Sequence, residues 1–218
     1  MFESITVIGS GRAGTAIEAR LRERGVAISN DGDLRLLCVP DRVIAEVARG
    51  IAPGPWVAHV SGATPLAALE PHARRFSVHP LQTLVLGQGP EQLDGAWGAI
   101  TAESEEARRH ALWLADTLGL RPFALADEKR GLYHAGAVVA SSFLVTLYRI
   151  ASRLLEEADV PPEALVPLMQ RTIANGFELT GPLTRGDRET IERHLEAIRA
   201  HAPELEGLYR VLTEATRA

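Results

Sequence analysis

Ile5-Thr6-Val7-Ile8-Gly9-Ser10-Gly11-Arg12-Ala13-Gly14 stands near the head of a 218-residue chain, and it sets the expected fold class. A β-branched run ends in G-x-G-x-x-G and passes into a segment with Ala13, Ile17 and Leu21 on one face: strand, glycine turn, amphipathic helix. Gly9 allows the tight turn, Gly11 lets a pyrophosphate approach the backbone, and Gly14 lets helix and strand pack closely. The helix start adds free N–H groups and the positive end of its dipole. Gly9, Ser10, Gly11, Arg12, Ala13 and Gly14 are therefore the expected binding loop for a dinucleotide, NADP or NAD.

Outward from this loop, short apolar runs alternate with helical segments. Strands are expected over 4–8, 34–39, 56–60, 76–79, 97–101 and 121–125, with helices over 12–24, 42–49, 65–69 and 103–118. That alternation is the pattern of a mostly parallel sheet flanked by helices. After residue 125 the strand signals stop. Helices are expected from Asp127, as N-cap, to about 158, then over 161–179, 187–202 and 203–217, with Asp187 capping the third. The division is therefore a Rossmann-like domain over 1–125 and an all-helical domain over 126–218.

One piece of the dinucleotide fingerprint is missing. An acidic residue about 20 positions on should end a second strand and hold the ribose hydroxyl. Asp31 and Asp33 lie near that distance, but the run at 34–39 begins at once, leaving only 25–33 for what is usually strand, helix and strand. Parallel neighbours need a crossover of about a dozen residues, so 26–29 and 34–39 are not expected both to be parallel strands. Asp31 and Asp33 read as a solvated turn around Gly32.

Composition narrows the function classes. With 23 Lys plus Arg against 28 Asp plus Glu, a net charge of −5 and no basic block, nucleic acid is not the expected partner. Cys38, the single cysteine, lies in an apolar run and reads as a buried, inert thiol. The start of the chain lacks a signal-peptide pattern, so a cytoplasmic location is expected. From Gly131 to Tyr148 there are 18 residues without Asp, Glu, Lys or Arg, but polar residues dilute the run, and it reads as a helix buried within protein rather than in a membrane. Apolar groups on all its faces, with the small residues Ala135, Gly136, Ala137, Ala140 and Ser141, point to a homodimer through the helical domain. The seven histidines lack ligand spacing, so no metal site is expected.

Val39-Pro40-Asp41, Ser61-Gly62-Ala63, Val78-His79-Pro80-Leu81-Gln82-Thr83, Tyr133-His134-Ala135 and Leu179-Thr180-Gly181-Pro182-Leu183-Thr184-Arg185-Gly186-Asp187 follow in order. On these motifs the chain resembles the Rossmann-like proteins with a C-terminal DUF2520 domain, within the 6-phosphogluconate dehydrogenase-like superfamily. The resemblance implies a Rossmann-like sheet joined to a helical domain, and the short stretch 25–33 means that the sheet is shortened in its second-to-third strand region. It implies that Val39 and Pro40 pass close to the cofactor and that Ser61 and Gly62 face the same cleft. His79, at the carboxyl edge of a strand, is similar in setting to the His-Pro of prephenate dehydrogenases, and its other reading is a loop cap. Lys129 is the counterpart of a proton-donating lysine in related reductases or else a surface lysine, and His134 is a third candidate donor. His59, within a strand, reads as a satisfied core group. Ser141-Ser142 departs from the family's usual Ser-Asn, and Arg185 could grip a carboxylate.

Two functions follow. One is an NAD(P)-dependent oxidoreductase reducing a small carbonyl or imine, with His79, Lys129 or His134 supplying the proton. The other is a degenerate dimeric relative that binds a small ligand or regulates, without redox activity.

Overall fold

The computed structural model describes residues 2–217. Strands β1 (Ser4–Ile8), β2 (Ala27–Ile28), β3 (Leu34–Leu37), β4 (Trp56–His59), β5 (Arg75–Leu81), β6 (Trp97–Ala102) and β7 (Arg121–Ala124) form one sheet in the order β2-β1-β3-β4-β5-β6-β7. The first five are parallel; β6 runs antiparallel to β5, and β7 follows β6. Helices α1 (Arg12–Glu23), α2 (Ile44–Arg49) and α3 (Glu105–Thr117) flank it. Ser104 caps α3 by accepting the Ala107 N–H at 3.1 Å.

Strand alternation divides the core between two faces. Leu34, Leu36, Ala58, Phe76 and Val78 join Ile17 and Leu21 of α1 and Ala111 and Leu114 of α3. Leu37 and Val57 join Ile44 and Ala48 of α2, with Leu66 and Leu69 of a single 3₁₀ turn. Ser77 and His79 alternate with Phe76 and Val78, so they belong to the second face. That face carries the polar site described below.

The link from β2 to β3 corrects the sequence expectation. Both segments are parallel strands, but they are not neighbours: they pair with opposite edges of β1, Ile5 meeting Ile28 on one side and Leu34 on the other. Residues 29–33 cross the face of β1 instead of wrapping a helix. Gly32 makes the crossing possible, because a Cβ there would stand 2.7 Å from the Ile5 carbonyl carbon and the Thr6 nitrogen. The Gly32 N–H donates to Thr6 Oγ1 at 3.0 Å, and Asp33 Oδ2 accepts from the Glu3 and Ser4 N–H groups. Asp31 pairs with Arg35. Both aspartates are exposed, as the turn reading expects, although Gly32 between them is buried.

Beyond β7 the chain is helical. A 3₁₀ turn at Asp127–Lys129 leads into α4 (Arg130–Val138), a wide π turn at Val139–Phe143 and α5 (Leu144–Glu156). Then come α6 (Leu165–Ala174), α7 (Arg188–His201) and α8 (Glu206–Arg217). Asp127 does not cap this run, contrary to expectation. Its carboxylate is instead occupied by the Leu66 N–H and the Arg130 guanidinium, and the cap position falls to Ala126. Asp187 does cap α7, accepting the Thr190 N–H at 3.0 Å. The helix expected over 161–179 ends at Ala174, where Gly176 and Phe177 take positive φ values of 71° and 62°.

The chain divides into two compact units, the first reaching to Val139 and the second beginning at Ala140. The helical stretch Asp127–Glu156 is long and apolar enough to cross a membrane by length and composition alone, and none of its most apolar window is buried. The sequence reading expects this helix to be buried within protein, and this chain alone does not bury it. The short helices of the second unit bury Leu165, Ile191, Leu195 and Ile198 but leave Phe143, Val145 and Leu147 exposed.

Candidate functional site

The glycine loop joins the carboxyl end of β1 to α1. At Gly9, φ is +115° and a Cβ would stand 2.4 Å from the Cys38 carbonyl oxygen; at Gly14 it would stand 1.9 Å from the Gly9 oxygen. These two glycines are required by packing between β1, β3 and α1. Gly11 differs, since a Cβ there would meet nothing within 4 Å. No side chain caps α1 and no acidic residue occupies its first turn. The N–H groups of Arg12, Ala13 and Gly14 therefore lack helical partners and face an open approach, the donor set that a pyrophosphate needs. Arg12 is exposed beside them.

Along the same edge, Val39 follows β3, with its Cγ1 3.2 Å from the place a Gly9 Cβ would take, and Pro40 opens the next turn. The Cys38 thiol is buried and its pKa is pushed up to about 12 by burial, with Glu18 adding to the effect, which makes it a poor nucleophile. Ser61 and Gly62 follow β4. The Ser61 hydroxyl donates to Asp41 Oδ2 at 2.8 Å and accepts from the Ala63 and Thr64 N–H groups, so it holds its own turn together. Gly62 is a contact point: a Cβ there would stand 2.8 Å from His134 Cδ2 and 2.9 Å from His79 Cε1.

His79 lies on β5, beyond the last residue paired with β4. Its Nδ1 is 2.7 Å from the Tyr133 hydroxyl, and its ring meets that of His134 edge-on at 6.2 Å. Burial, then the neighbouring His134 and Arg130, lowers its pKa to about 4, against a smaller upward pull from Asp41. Burial raises Tyr133 to about 12. Both groups are thus neutral near pH 7. Lys129 is exposed, and its ammonium has no partner among the described residues. His134, rather than Lys129, stands beside His79.

Two residues hold this cluster in place, Arg130, which the sequence did not single out, and Tyr133, which it quoted only as part of a motif and gave no role. Arg130 is 2% exposed; its Nε meets Asp127 Oδ1 at 2.6 Å, one terminal nitrogen donates to the Ser61 carbonyl at 3.0 Å, and the other bonds the Ser77 hydroxyl. It ties α4 to the ends of β4 and β5, and each of its three nitrogens is bonded in doing so. The i, i+3 spacing of Asp127 and Arg130 was the available signal. Tyr133 is the second, packed edge-on between Phe123 and His79.

His59 corrects a further expectation. Its Nδ1 accepts the Ser61 N–H at 3.2 Å, but the buried Nε2 has no partner among the described residues. Burial first, then Arg130 and His79, lowers its pKa to about 3, so it stays neutral. In the second unit Arg185 and Asn175 are exposed. Among the described residues, no three His, Cys, Asp or Glu side chains converge to hold a metal ion.

Residues 96–216 match the family described as a domain of unknown function, DUF2520, a span that begins just before β6 and runs through the helices. No curated protein matches the chain. Among solved structures, a protein from Bacteroides fragilis provisionally named an NADP oxidoreductase is 24% identical with a TM-score of 0.82, over 99% of this chain and 98% of that one. Protein TM1727 from Thermotoga maritima is 22% identical with a TM-score of 0.74, over 96% and 99%. A semialdehyde dehydrogenase NAD-binding protein from Cupriavidus necator, in complex with calcium and NAD, is 19% identical with a TM-score of 0.63, over 96% and 99%. These likenesses establish the shared fold.

Proposed function

The chain belongs to the DUF2520 family, and on that premise we propose that it is an NAD(P)-dependent oxidoreductase that reduces a small carbonyl or imine. One observation carries the reading: the open, uncapped helix start at Gly11 and the His79–Tyr133–His134 cluster share the carboxyl edge of the parallel strands β1, β3, β4 and β5. Ligands of open α/β sheets bind at that edge. Three strand steps separate β1 from β5, about 14 Å at the usual strand spacing, which leaves room for the nicotinamide half of a dinucleotide. The names of the Bacteroides and Cupriavidus relatives, which refer to NADP and NAD, agree with it.

When bound, the reduced nicotinamide supplies hydride. Gly11, the first-turn N–H groups and Arg12 hold the pyrophosphate; Val39 and Pro40 line the path past β3. His79 supplies the proton to the developing alkoxide or amine, with His134 beside it and Arg130 fixing the floor. Lys129, exposed and unpaired, is left out of the proton supply in this reading.

The short β2 favours a second reading, a binding protein without redox activity. It ends beside Ile5, three residues below the end of β1, so nothing on it reaches the glycine loop to read a ribose. The same feature implies poor discrimination between NADP and NAD if either binds. Calorimetric titration with NADPH and NADH separates the readings: micromolar binding of both is expected, and binding of neither leaves the second. We also propose a homodimer through the helical unit, supported by the exposed Phe143, Leu168 and Phe177. A monomer by light scattering at micromolar concentration would remove it.

A further inference from the structure

The geometry points to Tyr133 as the positioning residue that fixes the tautomer of His79, so that the imidazole presents Nε2–H at the carboxyl edge as the proton donor. The inference rests on the reductase reading above. The Tyr133 hydroxyl and His79 Nδ1 are 2.7 Å apart, with the rings edge-on at 5.5 Å and 86°. A bond of that length has one proton, and chemistry assigns it. A phenol O–H is a good donor and its conjugated oxygen a weak acceptor, whereas the bare nitrogen of a neutral imidazole is a strong acceptor. Tyr133 therefore donates, Nδ1 accepts, and the ring proton resides on Nε2.

Packing keeps the donor in place. Phe123 stands against the far side of Tyr133 at 5.9 Å, and Phe123 in turn meets Trp97 at 6.2 Å. On the opposite side of the imidazole, Nε2 lies 3.0 Å from the position that a Gly62 Cβ would fill, so glycine leaves this nitrogen its space. The charged and titratable groups acting on the imidazole are His134, Arg130 and Asp41, and burial, with His134 and Arg130 adding to it, keeps the ring neutral. A neutral imidazole with its proton on Nδ1 would turn a lone pair toward the substrate oxygen. The tautomer thus decides whether His79 can serve a reduction at all.

Hydride from the bound dihydronicotinamide forms the new C–H bond, and the carbonyl π pair moves to oxygen. That oxygen takes the proton from Nε2 while the Tyr133 hydroxyl proton passes to Nδ1, leaving the imidazole neutral. The phenolate then recovers a proton from Nδ1 as Nε2 regains one from water. The net consumption is one hydride and one solvent proton.

The test needs neither cofactor nor substrate. The full chain labelled with ¹⁵N-histidine is examined at pH 7 by long-range ¹H–¹⁵N correlation, His79 being identified by the signals lost in His79→Gln. The expected result is a protonated Nε2 and a bare, hydrogen-bonded Nδ1. Tyr133→Phe, which keeps the ring contacts and removes only the hydroxyl, should raise the other tautomer severalfold. A proton on Nδ1 in the unsubstituted chain overturns the inference even if the variant does not fold, and so does an unchanged tautomer in a folded variant. NADPH titration of the same sample separates the two ideas. Binding with the proton on Nδ1 sinks the lock alone, whereas the locked tautomer without binding sinks the reductase reading and Tyr133's catalytic use with it.

Discussion

The sheet unit and the helical unit spend their apolar residues differently. In the first, Ile5, Ile17, Leu21, Leu36, Phe76 and Leu114 are wholly buried between strands and helices of the same unit. In the second, Leu168 is 63% exposed and Phe177 72%, and the buried set is small. One unit satisfies its own hydrophobic requirement; the other leaves large apolar side chains at its surface. The difference shows that the apolar residues of one unit are packed inside it while many of the other's stand at its surface.

The comparison can be broken most directly in the sheet core. Phe76→Ala removes a wholly buried ring and should cost about 3–5 kcal/mol in denaturant unfolding; a loss below about 1 kcal/mol would mean the sheet core is looser than drawn. Arg130→Met strips three partners, Asp127, Ser61 and Ser77, and should cost about 3 kcal/mol because a carboxylate loses its buried counter-charge. Dinucleotide affinity should fall less than stability, since Arg130 does not reach the glycine loop.

Acid probes the sheet unit next. His59 has a folded-state pKa of about 3 and His79 about 4, both below the ordinary 6.5, so the unfolded chain binds protons that the folded one refuses. Stability should therefore be full above pH 6.5 and fall as pH drops from there toward 3, by about 2 kcal/mol at pH 5 for His59 alone. Thermal unfolding across this range should show the slope, and His59→Gln should flatten it. An unchanged slope in that variant would assign the acid lability elsewhere.

Smaller effects sharpen the picture. Arg12→Ala should weaken NADPH binding by about 1–2 kcal/mol, the scale of one charge-assisted hydrogen bond, without altering the melting temperature. Phe177→Ala, in the helical unit, should change unfolding of the dilute chain by less than about 0.5 kcal/mol, as exposed substitutions do. Its effect should appear in sedimentation, as a shift toward smaller species. A stability loss as large as that of Phe76→Ala would erase the contrast between the units.

How much was legible follows the range of the forces involved. The glycine turn, the strand alternation and the Asp187 cap depend on residues within a few positions of one another, and each stands in the structure where its local pattern put it. The crossing at Gly32 was illegible because it depends on which side of β1 each strand pairs, a non-local matter; the rule on parallel crossovers governs neighbours, and these strands are not neighbours. Arg130 hid in the charged group Asp127-Glu128-Lys129-Arg130, where only the i, i+3 phase distinguishes the buried cation from the solvated Lys129. Asp127 looked like a cap because Asp before a helix usually is one. The Leu66 N–H, 61 residues away, claimed it instead.

The crossing at Gly32 also bears on how the molecule assembles. β1, β2 and β3 all lie within the segment from Ser4 to Leu37, so their pairing closes short loops, and the entropy of closing a loop rises with its length. A chain that took the usual helical detour would bring β3 to β1 later and from farther away. This corner of the sheet is thus suited to be an early-forming nucleus, with contacts of low sequence separation around a strand gripped from both edges. Gly32→Ala, which sets a methyl group against the β1 backbone, should then act mainly by slowing refolding rather than by hastening unfolding.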